Sequence, residues 1–111
     1  MKVNVIDLLD GSRIEAKVNF GTIYYMQKRK GFSRIAKKAE KKKLSDYESM
    51  EMAATIVYGV LRSNGKPVTF DEALALVPPD LQSIKKILNS FAKEYEKYSK
   101  KKQAKQSSAP K

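Results

Sequence analysis

The stretch from Ser45 to Gly65 constrains this chain most. Ser45-Asp46-Tyr47-Glu48 sets a hydroxyl three residues ahead of a glutamate. In that arrangement the two side chains satisfy free backbone amides at a helix start. Asn64-Gly65 supplies the stop, since both residues tolerate the left-handed backbone that ends a helix. Between them, Met50, Met52, Ala53, Ala54, Ile56, Val57, Tyr58, Val60 and Leu61 cover nearly every side of a helix. A helix apolar all round must be enclosed by other elements. The fold is therefore expected to wrap around this one central helix.

The flanking segments supply candidates for the wrapping. Residues 2–9 and 13–20 alternate apolar and polar side chains on either side of Asp10-Gly11-Ser12. Val3 and Val5 form one apolar row, and Ile14, Ala16, Val18 and Phe20 the other. Period-two alternation around an Asp-Gly turn predicts a β-hairpin over 2–20. An isolated hairpin is marginal in water, so this one must pack on helices or pair with another chain. Residues 21–30 predict a short helix, broken by Gly31. A weak, exposed helix follows over 33–43, with Ser33 as its candidate cap and only Ile35, Ala36 and Ala39 able to face a core.

Thr69-Phe70-Asp71-Glu72 repeats the capping pattern and predicts a helix through Val77, stopped by Pro78-Pro79. After Asp80, the residues Leu81, Ile84, Leu88, Phe91, Tyr95 and Tyr98 recur at spacings of three and four, one stripe of a long helix. Residues 99–111 hold no large apolar side chain and read as a disordered basic tail. The expected architecture is mainly α (α+β): one domain over 1–98, a hairpin packed on a bundle of about four to five helices, followed by the tail.

Charge is unevenly placed. The formal net charge is +11. Residues 28–43 carry nine basic groups against Glu40 alone, and residues 97–111 carry six lysines and no acid. Residues 44–96, which hold the best-patterned helices, carry five basic and eight acidic groups. The cluster at 28–43 suits a phosphate backbone, which cations bind by releasing counterions. It equally suits an acidic protein surface, or a solvated face that keeps the chain in solution.

The sequence contains no cysteine and no histidine. Disulfides, thiolate chemistry and the side chain that most often transfers protons near neutral pH are all excluded. The acidic pairs Asp46/Glu48 and Asp71/Glu72 sit in first turns, where carboxylates favour the helix dipole. No catalytic, cofactor or metal site is expected, and the chain reads as a binding protein with no enzymatic activity. The N-terminal apolar stretch is too short and too broken for a signal peptide, and no segment approaches a membrane span. A cytoplasmic protein is expected.

Two surfaces are candidates for binding. Met26, Met50 and Met52, with Tyr24, Tyr25, Tyr47 and Tyr58, form an aromatic and thioether set. Of these, Tyr24, Tyr25, Met26 and Met50 are the candidate contacts, in a chain too small to bury everything, and methionine surfaces adapt to varied apolar partners. Lys28, Arg29, Lys30, Arg34, Lys37 and Lys38 would add charge beside it. Leu88, Phe91 and Tyr95 are candidates for self-association. A competing reading takes residues 67–90 as a helix-turn-helix, with Gln82, Lys85, Lys86 and Asn89 toward DNA. Its second helix opens on Asp80 and offers no arginine, the residue that most often reads bases.

From Glu51 to Pro78 an apolar helix ends in Asn64-Gly65-Lys66-Pro67 and is followed by a Thr69-initiated helix and a proline stop. This pattern, with the hairpin feeding Phe20 to Met26, resembles the tail assembly chaperones of long-tailed bacteriophages, over roughly residues 2–95. The resemblance implies a protein that coats the elongated tape measure protein, keeps it soluble and hands it to tail tube subunits. It implies action in the host bacterial cytoplasm and absence from the mature virion. Many family members are also made in a longer, frameshifted form. By that resemblance this chain is the short, unshifted product, with Lys100-Lys101-Lys102-Gln103 a candidate slippery run. Partners implied are the tape measure protein, the tail tube protein, the longer form and further copies of the chain.

Overall fold

The computed structural model describes residues 4–108, with side chains through Lys100. It is mainly helical, with a short N-terminal hairpin and five helices, as the sequence predicts. Strands β1 (Val5–Asp7) and β2 (Arg13–Glu15) pair antiparallel, with Ile6 opposite Ile14 and Asp7 opposite Arg13. Both strands are shorter than expected. Their connection is closed by Leu8 N–H to Ser12 O at 2.9 Å and Gly11 N–H to Leu8 O at 3.0 Å. Gly11 has φ +89°, a conformation that suits a residue without Cβ. Asp10 accepts from the Ser12 hydroxyl and amide, which hold its carboxyl below the ordinary range.

The second strand ends early because a helix begins. Asn19 caps α1 (Phe20–Gln27): its side chain accepts from Thr22 N–H while the Thr22 hydroxyl accepts from Asn19 N–H. Phe20, placed in the strand by its alternation, is instead the first helical residue and is 73% exposed. Helix α2 (Phe32–Glu40) starts at Gly31, φ +81°, and not at Ser33. Ser33 falls inside its first turn.

Helix α3 (Asp46–Ser63) is the centre of the molecule. Its Ser45/Glu48 capping box forms as the sequence predicts, and Met52 through Val57 are buried without interruption. It packs against α1, α2, α4 (Phe70–Ala75) and α5 (Leu81–Ser108). The Thr69/Glu72 box also forms, but α4 ends two residues short of Val77 because the Leu76 amide already closes the turn onto Ala73 O and Leu74 O.

Helix α5 differs from its expected form in two ways. The residues it buries are Ile84, Ile87 and Phe91, with Leu88 half-buried, while Leu81 and Tyr95 are exposed. The inward face is thus turned toward Ile87, where β1 lies against it. The helix also continues through Ser108 and does not end at Tyr98. Lysine, glutamine and alanine are good helix formers, so a stretch lacking packing residues can still extend a helix. Residues 109–111 of the expected tail lie outside the described residues.

Long-range bonds tie the ends of the chain together. The Asn4 amide donates to Glu94, Ser90 Oγ donates to Val5 O at 3.4 Å, and Leu9 N–H donates to Leu76 O at 2.7 Å.

Candidate partner-binding surface

Gly59 sets the distance between α1 and α3. A Cβ at this position would lie 2.6 Å from Met26 Cγ and 3.0 Å from Thr22 O. Its absence lets the α1 backbone sit directly on α3. The same contact buries Thr22, whose hydroxyl donates to Lys17 O and lies 3.1 Å from the Ser63 hydroxyl.

This approach assembles four aromatic rings from three helices. Tyr24 meets Tyr25 edge-on at 5.4 Å, Tyr25 meets Tyr58 at 6.2 Å, and Tyr58 meets Phe70 at 6.1 Å. Edge-to-face pairs bring the positive rim of one ring to the negative face of the next. Cations lie over the same rings. The Arg29 guanidinium lies 3.5 Å from the Phe70 centroid, Arg62 lies 5.0 Å from Tyr25 and 6.0 Å from Tyr58, and Lys28 lies 5.0 Å from Tyr24. Each such pairing contributes roughly 0.5–1 kcal/mol at an exposed site. Beside them Tyr25, Arg62, Gly65, Lys66 and Pro67 line a shallow depression of about 210 Å³.

The predicted site residues divide. Tyr24 is 48% exposed and Tyr25 half-buried, and both belong to the aromatic row. Met50 is exposed. Met26 is not at the surface at all: at 0% exposure it fills the space opened by Gly59, and its predicted contact with a partner is corrected to a core role. Lys28 and Arg29 join the rings, while Lys30 and Lys37 extend into solvent.

Arg34 and Lys38 are engaged within the molecule. They reach Glu48 at 3.3 and 2.8 Å and fasten α2 to the start of α3. The Lys38 ammonium, then the Ser45 amide, hold the Glu48 carboxyl down to about 2. A depressed carboxyl contributes stability above its unfolded value, near 4.5, and loses it as pH falls toward 2. Between about pH 5 and 2, α2 is expected to lose amide protection before α3. Glu48→Gln is expected to flatten that part of the pH profile measured by hydrogen exchange. Parallel profiles for the two proteins would show that the pair does not hold α2.

Of the expected self-association stripe, Phe91 is buried, which corrects its assignment to a docking surface, and Leu88 packs against the core. Tyr95 alone is exposed, stacked on Phe91 at 6.0 Å. The segments proposed as a helix-turn-helix do not form a tight pair: α4 and α5 each pack on α3.

Arg62, Lys66 and Phe70 are not singled out by the sequence pattern, and Tyr58, a member of the aromatic set, is not among its candidate contacts. A signal was present. Tyr24/Lys28, Tyr25/Arg29 and Tyr58/Arg62 are aromatic–cation pairs four residues apart, the spacing of neighbours on a helix. Among the described residues no group of three acidic side chains converges as a metal site, and no helix is long and apolar enough to cross a membrane. In comparisons with known proteins, no family model, curated protein or solved structure matches this chain.

Proposed function

We propose that this chain is a phage tail assembly chaperone, a binding protein that holds the tape measure protein soluble and helps bring tail tube subunits to it. The observation that carries the reading is the aromatic–cation surface across α1, α3 and α4. Four of its members, Tyr58, Arg62, Lys66 and Phe70, lie within residues 51–78, the segment that carries the family resemblance. A broad surface of rings and long cationic side chains suits an elongated helical client better than a small ligand. Repeated weak contacts along such a client gain strength when the binder self-associates. Under this reading the protein acts in the host cytoplasm, without catalysis, beside further copies of itself and the longer form.

Co-expression with a helical tape measure fragment tests the proposal. The fragment is expected to remain in solution only with this chain present, and the complex to sediment with several copies per fragment. A strictly monomeric protein that leaves the fragment insoluble would remove the reading. The exposed Lys30, Lys37 and Lys41–Lys43 support the competing DNA-binding reading. A duplex titration at two salt concentrations addresses it, because phosphate contacts give a log–log slope of about −0.9 each.

A further inference from the structure

We propose that Arg62 and Lys66, at the exit of α3, form a subsite for a carboxylate side chain carried on an amphipathic helix of the partner. The inference deepens the binding reading above by assigning the chemistry of what is bound.

The argument starts from an unmet set of donors. Arg62 is half-buried and held against the Tyr25 and Tyr58 rings. Among the described residues its guanidinium makes no ion pair and no side-chain hydrogen bond, and the same holds for Arg29 and Lys66. Many surface lysines are likewise unpaired, but of the four arginines Arg13 and Arg34 reach carboxylates, and Arg62 is set apart by its place beside the depression. A guanidinium presents five N–H donors in a fixed fork matched to a carboxylate. Stacking on two rings restricts the Arg62 rotamer, so less side-chain freedom remains to be lost on binding.

The surroundings select the ligand further. The depression beside Arg62 is walled by the Tyr25 ring and Pro67, with Lys66 on its rim. Its volume of about 210 Å³ admits an acidic side chain and part of an apolar neighbour. The negative end of α3 lies nearby and is reduced, because the carbonyls of Val60, Leu61 and Arg62 already accept from Asn64, Lys66 and Gly65; the cations of Arg62 and Lys66 must outweigh what remains. Single-stranded nucleic acid fits less well. Its bases need open ring faces to stack on, whereas Arg29 covers Phe70 and Arg62 and Lys28 lie over the tyrosines.

The test uses the full chain and three probes: an end-blocked helical peptide of Leu, Ala and Glu, its Gln-for-Glu counterpart, and a 15-nucleotide thymidine oligomer. The acidic peptide is expected to bind and to shift the amide signals of Tyr25 and Gly65. The Gln peptide should bind about tenfold more weakly, as expected when a charge-assisted bond is lost. Arg62→Gln and Lys66→Glu should each weaken the acidic peptide by a similar factor, and Arg62→Lys should restore part of the loss. Lys66 is exposed in a loop, so its variant keeps the test valid even if changes at Arg62 disturb packing. Undiminished binding of the acidic peptide to both variants would overturn the inference, as would tighter binding of the oligomer at the same residues. Wild-type protein that solubilises the tape measure fragment but does not bind the acidic peptide would sink this subsite and leave the chaperone reading standing. The opposite pair of results would do the reverse.

Discussion

Gly59→Ala is expected to destabilise the protein by about 1–3 kcal/mol, the usual range for overpacking a closely fitted interior. The sign runs against helix propensity. In an exposed helix interior the same change would gain up to about 1 kcal/mol. Here the new methyl would meet Met26 Cγ at 2.6 Å and Thr22 O at 3.0 Å. Met26 is wholly buried and cannot swing into solvent, and Thr22 O is backbone. Helix α1 must therefore lift from α3. That movement would also draw Tyr25 away from Tyr58 and Arg62, so binding of the acidic peptide should weaken along with stability. Urea denaturation of Gly59→Ala, Met26→Ala and the double variant measures the effect. The double variant should lose less than the two single losses combined, because shortening Met26 removes the closer of the two clashes and leaves only that with Thr22 O. A higher midpoint for Gly59→Ala would show that α1 is not seated as described.

Ile6→Ala is expected to cost about 2–5 kcal/mol, the range for truncating a buried isoleucine. Ile6 is 1% exposed and sits at the middle of β1, opposite Ile14 and beside Ile87 of α5. Each strand has only three residues, so the hairpin's own backbone bonds cannot hold it in place. Side-chain packing on α5 must do so. Hydrogen exchange should show the amides of 5–8 and 13–16 losing protection first, with the α3 interior following only at global unfolding. A loss below about 1 kcal/mol would mean that the hairpin is an ornament on an independently stable bundle.

How much could be read in advance depended on whether a feature is local. The Ser45/Glu48 and Thr69/Glu72 boxes are four-residue patterns, and both formed. The all-round apolar character of 50–61 identified the enclosed helix. The Asn19/Thr22 cap was missed because its third helical residue is threonine, where the familiar pattern has glutamate or glutamine. Phe20 was consequently assigned to a strand. In α5, both Ile84/Leu88 and Ile87/Phe91 satisfy helical spacing. The position of β1 makes Ile87 part of the inward face, and no local rule contains that information. The binding surface is non-local in the same way. Its aromatic–cation pairs were visible four residues apart, but their convergence requires the bare backbone of Gly59. Met26 reads as an adaptable surface thioether until the hollow it fills is known.

The bonds from Asn4 to Glu94 and from Ser90 to Val5 span 90 and 85 residues. Translation produces their N-terminal members well before their C-terminal members. Until α5 emerges from the ribosome, Ile6 lacks the helix on which β1 rests, and a three-residue ribbon has too little of its own to stay paired. A chain halted after α4 would leave Ile6 without the apolar face of α5. The hairpin therefore becomes a settled part of the fold only once α5 is in place, because α5 is what buries Ile6 against β1.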